Sequence, residues 1–138
     1  MFKSILVVTV TVAQLQGLPE AYESYLDYEL VESGQVDEAT AAAWGAPAAA
    51  GQDYALLQAA SGEPVYLRFV ESEQPGSYAP MTNHGWNAIE LLVADPDAVN
   101  AQLEDSPFEI IGPPYDLWDA PNAPRAMQAT GPGNELLY

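Results

Sequence analysis

"LLQAASGEPVYLR", residues 56–68, lies without a gap over "AMQATGPGNELLY", residues 126–138, at an offset of 70. Each stretch is a strand pattern, a Gly-containing turn and a second strand pattern, so a hairpin is matched to a hairpin. Further upstream "VTVA" at 10–13 answers "LLVA" at 91–94, an offset of 81, and "YELV" at 28–31 answers "FEII" at 108–111, an offset of 80. Three matches in the same order identify an internal duplication. The step from 80 to 70 is a loop about ten residues shorter in the second half, between its second and third strands.

Both halves read strand, helix, then three strands. In the first, Ile5 to Val12 is a strand, and a helix opens near Pro19 with Tyr22, Tyr25, Leu26 and Leu30 at helical spacing before the strand in "ELVESGQV". Asp37 to Gly51 is Ala-rich with Gly and Pro breaks, and suits a loop with at most one helical turn. Strands follow over Tyr54 to Ala60 and Val65 to Glu71. In the second half "GWNAIELLVADPDAV", residues 85–99, predicts a buried strand and a short helix started by Asp95 and Pro96. A strand from Phe108 to Ile111, a Pro-rich loop and strands around Met127 and Leu137 complete it. The expected organisation is a module over 1–72, a linker over 73–84 and a second module over 85–138.

The chain has 138 residues, 49% of them apolar, enough to fill the core of one domain or of two small modules. Its formal net charge is −17, with Lys3, Arg68 and Arg125 against 20 acidic residues. Nucleic acid and anionic membrane surfaces are thereby excluded as partners, since both need Lys and Arg clusters. No cysteine is present, so thiolate metal sites, thiol nucleophiles and disulfides are excluded too. The opening apolar run is β-branched and lacks a small-residue cleavage site, which favours a strand over a signal peptide and makes a cytoplasmic location the default.

A duplicated βαβββ module resembles the vicinal oxygen chelate superfamily, which includes glyoxalase I and the bleomycin- and fosfomycin-resistance proteins. "IELLVADPDAV" is similar to the first strand and helix start of such a module, and "GPGNELLY" to its Gly-Asn turn and last strand. The resemblance implies an α+β fold of two βαβββ modules with sheets curled into a cup. It also implies metal ligands on the first and last strand of each module. Those positions fall at Val7, Arg68, Ala88 and Tyr138. None is His, Asp or Glu, and a cation repels a divalent ion, so no metal and no other cofactor is expected.

Alternation along a strand then puts Glu90 on the cup-facing side with Ala88, and Arg68 with Tyr66. Thr9 is the repeat partner of Glu90. A buried charge persists when it is paired or binds an ionic ligand. Arg68 and Glu90 therefore either pair with each other or reach water at the rim, holding the modules in register, or they form a site. The expected ligand-binding set is Thr9, Tyr66, Arg68, Glu90, Trp118 and Tyr138, with Glu90 and Arg68 as the candidate catalytic pair. His84 sits in the linker and reads as a solvated loop residue. "PPYDLWDAPNAPRA", residues 113–126, reads as a packed loop or a stiff lid, with Arg125 in reach of Asp116 or Asp119.

Two functions fit: a metal-independent protein that binds a small organic molecule between its modules, or a lyase or isomerase of a small carbonyl compound with Glu90 as base and Arg68 holding the oxyanion. The last strand is short, about four residues after its turn, against the usual five to six. The expected partners are accordingly a small-molecule ligand and either a second copy of the chain, as a homodimer, or missing downstream modules.

Overall fold

The computed structural model describes residues 4–73, 79–82 and 84–138. Two compact units divide the chain, Met1–Ser77 and Tyr78–Tyr138. Part of the expected linker, residues 74–78 and 83, lies outside the described residues.

The first unit runs β1 (Val7–Val12), α1 (Leu18–Tyr25), β2 (Tyr28–Gln35), α2 (Glu38–Ala43), a 3-10 turn (Pro47–Ala49), β3 (Asp53–Ala59) and β4 (Tyr66–Glu71). Its sheet has the order β1-β4-β3-β2, with β1 parallel to β4 and the other pairs antiparallel. The parallel pair demands a crossover, and α1 begins it. Gly17, with φ of 76°, turns the chain into α1, and Pro19 occupies the first helical turn, where its missing N–H costs no hydrogen bond. Leu18, Ala21 and Tyr22 then share one buried face. Tyr22 is fully buried, packing edge-on against Tyr28 at 5.7 Å between ring centroids and against Phe69 at 5.2 Å. Phe69, Leu67, Leu57 and Ala55 are all buried. Each large side chain among them contributes roughly 1.5–3 kcal/mol by leaving water.

The Ala-rich segment holds more structure than its glycines suggest. Asp37 caps α2 by accepting from the Thr40 backbone N–H at 2.8 Å and its hydroxyl at 2.7 Å. With this cap and alanines at 39 and 41–43, six residues become helical and the 3-10 turn follows. The expected loop with at most one helical turn is therefore corrected to two short helices. Ala41 and Val36 pack on Val70, with Ala49, Ala50 and Tyr54 around them. Tyr54 and Val70 are register partners in β3 and β4, so this cluster covers one end of the sheet face opposite to α1.

The second unit runs β5 (Ala88–Ile89), α3 (Pro96–Leu103), β6 (Glu109–Asp116), β7 (Arg125–Thr130) and β8 (Leu136–Leu137). The order β5-β8-β7-β6, with β5 parallel to β8, repeats the first unit. Asp95 caps α3 through the N–H groups of Asp97 and Ala98 at 3.0 and 3.2 Å. At the hairpin turn Asn134 takes a left-handed φ of 66°, Asn134 N–H donates to Gly131 and Gly131 N–H to Glu135.

Two expectations change here. The strand expected over Phe108 to Ile111 runs instead from Glu109 to Asp116, through Gly112, Pro113 and Pro114. It is an edge strand with two register shifts, the setting that accepts prolines because the missing N–H groups fall outside the ladder. The buried strand expected in residues 85–99 is only Ala88–Ile89, with Trp86 and Leu92 almost wholly exposed. β5 is also an edge strand, paired in its sheet with β8 alone.

Candidate functional site

In the first unit the register lines up one residue per strand. Thr9 of β1 is opposite Arg68 of β4, Arg68 is opposite Leu56 of β3, and Leu56 is opposite Glu32 of β2. Phe69 packs on α1, so Arg68, its neighbour in the strand, faces the other way. Thr9 and Tyr66 share that face with Arg68. The structure thus brings together three of the residues singled out from sequence.

Three more belong with them. Trp44 ends α2 and lays its indole 4.5 Å from the Arg68 guanidinium carbon, a cation–π contact. Tyr54, two residues before Leu56 in β3, donates its hydroxyl to the Glu32 carboxylate in a short hydrogen bond. That bond holds the Tyr54 phenol above its ordinary value of 10.0, while the positive charge of Arg68 acts in the opposite direction. Glu32 reaches this face through a bulge: Leu30 pairs with Leu57, but Glu32 pairs with Leu56, and Val31 is the extra residue.

Of the three cations in the sequence, Lys3 lies outside the described residues. Arg125 is bound by two aspartates, Asp97 through two hydrogen bonds and Asp116 at 2.9 Å. The Arg125 hydrogen bonds hold the Asp97 carboxyl below the ordinary carboxylate range. The expectation of Arg125 near Asp116 or Asp119 thus resolves to Asp116. Arg68 is the contrast, having no ion pair among the described residues despite the excess of acids.

In the second unit a groove of about 390 Å³ is lined by Gly112, Pro113, Tyr115, Leu117, Ala126, Met127, Gln128 and Tyr138. Tyr138 extends β8 by bonding its backbone to Ile89 and Leu91, at 2.9 Å each. Trp118, adjacent to the lining residue Leu117, is exposed. Glu90 follows β5 and is exposed, with no ion pair among the described residues. The backbone bonds of Tyr138 to Ile89 and Leu91 flank Glu90 and set it opposite Tyr138. His84 is exposed.

The residues at the family's metal positions do not fit a divalent ion. Val7 and Ala88 have no donor, Arg68 carries a positive charge, and Tyr138 offers one phenol. Among the described residues no three His, Asp or Glu side chains come together as a metal would need. No helix of the described residues is long and apolar enough to cross a membrane.

No family model matches the chain, and no curated protein matches it. Solved structures do. A glyoxalase family protein from Bacillus cereus aligns with a TM-score of 0.72 at 16% identity, covering 99% of this chain and 91% of that one. A glyoxalase family protein from Enterococcus faecalis gives 0.71 at 17%, covering 99% and 95%. The fosfomycin resistance protein FosX of Listeria monocytogenes, as a mutant complexed with Mn(II) and a dihydroxypropylphosphonic acid, gives 0.63 at 13%, covering 99% and 90%. Together with the two βαβββ units, these alignments give the chain the α+β fold of the vicinal oxygen chelate superfamily.

Proposed function

We propose that the protein binds a small organic molecule carrying a carboxylate or carbonyl, without a metal, and that Arg68 is its main anchor. One observation carries this reading. Among 20 acidic residues Arg68 has no acidic partner among the described residues, and rests on an indole instead. A guanidinium so placed keeps its planar fork of N–H donors for an oxygen ligand and loses little side-chain freedom when it binds. Arg68 stands where metal-dependent relatives carry an acidic ligand, so the site that holds an ion there would hold an anion here. Thr9 and Tyr66 supply hydroxyls on the same face. A cytoplasmic location belongs to the same proposal. The exposed placement of Glu90, opposite Tyr138, does not by itself favour the lyase or isomerase reading.

The test is calorimetric titration with a panel of small aliphatic and aromatic carboxylates and ketones, with the ligand recovered and weighed against input. Arg68→Ala is expected to weaken binding by more than about tenfold, the scale of one charge-assisted hydrogen bond, while leaving the denaturation midpoint nearly unchanged. Equal affinity in the variant defeats the reading. Conversion of the recovered ligand would establish an enzyme in place of a binding protein.

A further inference from the structure

The site proposed for Arg68 has a second, oppositely charged end. Glu32 lies on the same line across the sheet as Arg68, with only Leu56 between them, which puts the two backbones two strand spacings, roughly 10 Å, apart. The four described groups along this line differ in chemistry: a hydroxyl at Thr9, a cation at Arg68, an aliphatic side chain at Leu56 and a carboxylate at Glu32.

Glu32 is held in place. Its Oε1 accepts the Tyr54 hydroxyl, and Tyr54 is fixed by its place in the cluster of Val36, Ala41 and Val70. A carboxylate has about four lone-pair sites, and one phenol fills one of them. Oε2 of Glu32 has no protein donor among the described residues, so it keeps its capacity to accept. Arg68 is held in the same manner, by an apolar neighbour that takes none of its hydrogen bonds. Each charged group is thus positioned by an aromatic ring from the α2–β3 region, Trp44 for the cation and Tyr54 for the anion. The two do not join in an ion pair, although they share a face.

We infer that this face selects ligands that are themselves dipolar: a carboxylate for Arg68 at one end, and a protonated amine or hydroxyl for Glu32 at the other, joined by an apolar spacer over Leu56. The inference rests on the anchoring role given to Arg68 and adds the second contact. It also removes the difficulty of placing an anion on a chain of net charge −17, because a zwitterion has no net charge to be repelled.

Three probes of matched length separate the possibilities: ε-aminocaproate with both ends, caproate with the anion alone, and hexylamine with the cation alone. Each is titrated into the full chain and followed by NMR of the Trp and Arg side-chain N–H groups. ε-Aminocaproate is expected to bind about tenfold more tightly than caproate, as one charge-assisted hydrogen bond allows. In Glu32→Gln the two should become equal, with caproate unchanged; in Arg68→Ala both should weaken. Equal affinities in the wild-type protein, or a preference that survives Glu32→Gln, overturn the dipolar inference and leave Arg68 as the anchor. Binding of caproate and ε-aminocaproate that ignores Arg68→Ala, or no binding by either, overturns both. Tyr54→Phe checks the positioning role: it should reduce the preference for ε-aminocaproate while caproate affinity stays the same.

Discussion

The two units follow one path of strands and helices but build different surfaces on it. In both, the first strand lies parallel to the last, β1 to β4 and β5 to β8. The first unit builds the helical cluster of α2 onto its sheet within residues 36–52, whereas the second joins β6 to β7 through the shorter stretch 117–124. Duplication therefore preserved the order of elements and the parallel pairing of first and last strands. It did not preserve the connecting loop or the face chemistry, which depend on single residues.

The largest expected effect tests the packing side of this contrast. Tyr22→Ala removes a fully buried ring from between Tyr28 and Phe69, and should cost about 3–5 kcal/mol by urea denaturation. Leu103→Ala, in the second unit, should cost about 2–3 kcal/mol. Reversal of that order would mean that the unit without the α2 cluster is the better packed.

The two hairpin turns give the next test, because their glycines are required for different reasons. Gly62, with φ of 78° and open space around it, is needed for its backbone angle. Gly131 is needed for room, since a Cβ there would collide with the Glu135 carboxylate. Gly62→Ala should cost about 1–2 kcal/mol with no change elsewhere. Gly131→Ala should cost a similar amount and move the Glu135 side chain, which NMR of that residue would detect. If Gly131→Ala leaves Glu135 unmoved, the turns are alike after all.

The smallest effect concerns Arg125, the paired cation, as a foil for Arg68. Its hydrogen bonds lower the Asp97 carboxyl, so the folded chain gives up that proton more readily than the unfolded one. The resulting stability is present above the ordinary carboxylate range and is lost as pH falls through the lowered value. Asp97→Asn should thus melt slightly below the wild-type protein at neutral pH, and the gap should close in acid. A gap that widens in acid would reverse the assignment.

The path of the chain was legible in the sequence because it rests on recurring patterns: the matched hairpins, the Tyr22 stripe, the Asp95 cap. Arg68 was legible for the same reason, as the repeat partner of Tyr138. Trp44 was hidden because a glycine follows it, and only the Asp37 cap with Thr40, a signal present in the sequence, turns that segment into a helix that delivers the indole. Glu32 was hidden more deeply. Strict alternation from Leu30 would send it to the α1 side, and the bulge at Val31 reverses its face without any marker such as glycine. Glu90 stands in an apolar run that suggests burial, and its side chain is exposed opposite Tyr138.

The outer strands of the two sheets are shielded from foreign strands by different means. β6 carries Pro113 and Pro114, which have no N–H to offer to an added strand at any pH. β2, exposed along most of its length, carries Glu29 and Glu32 and relies on charge. Charge is a shield that salt weakens. A foreign strand should accordingly add first along Tyr28–Gln35 as ionic strength rises and spare Glu109–Asp116, so that salt sets the limit for handling the protein at high concentration.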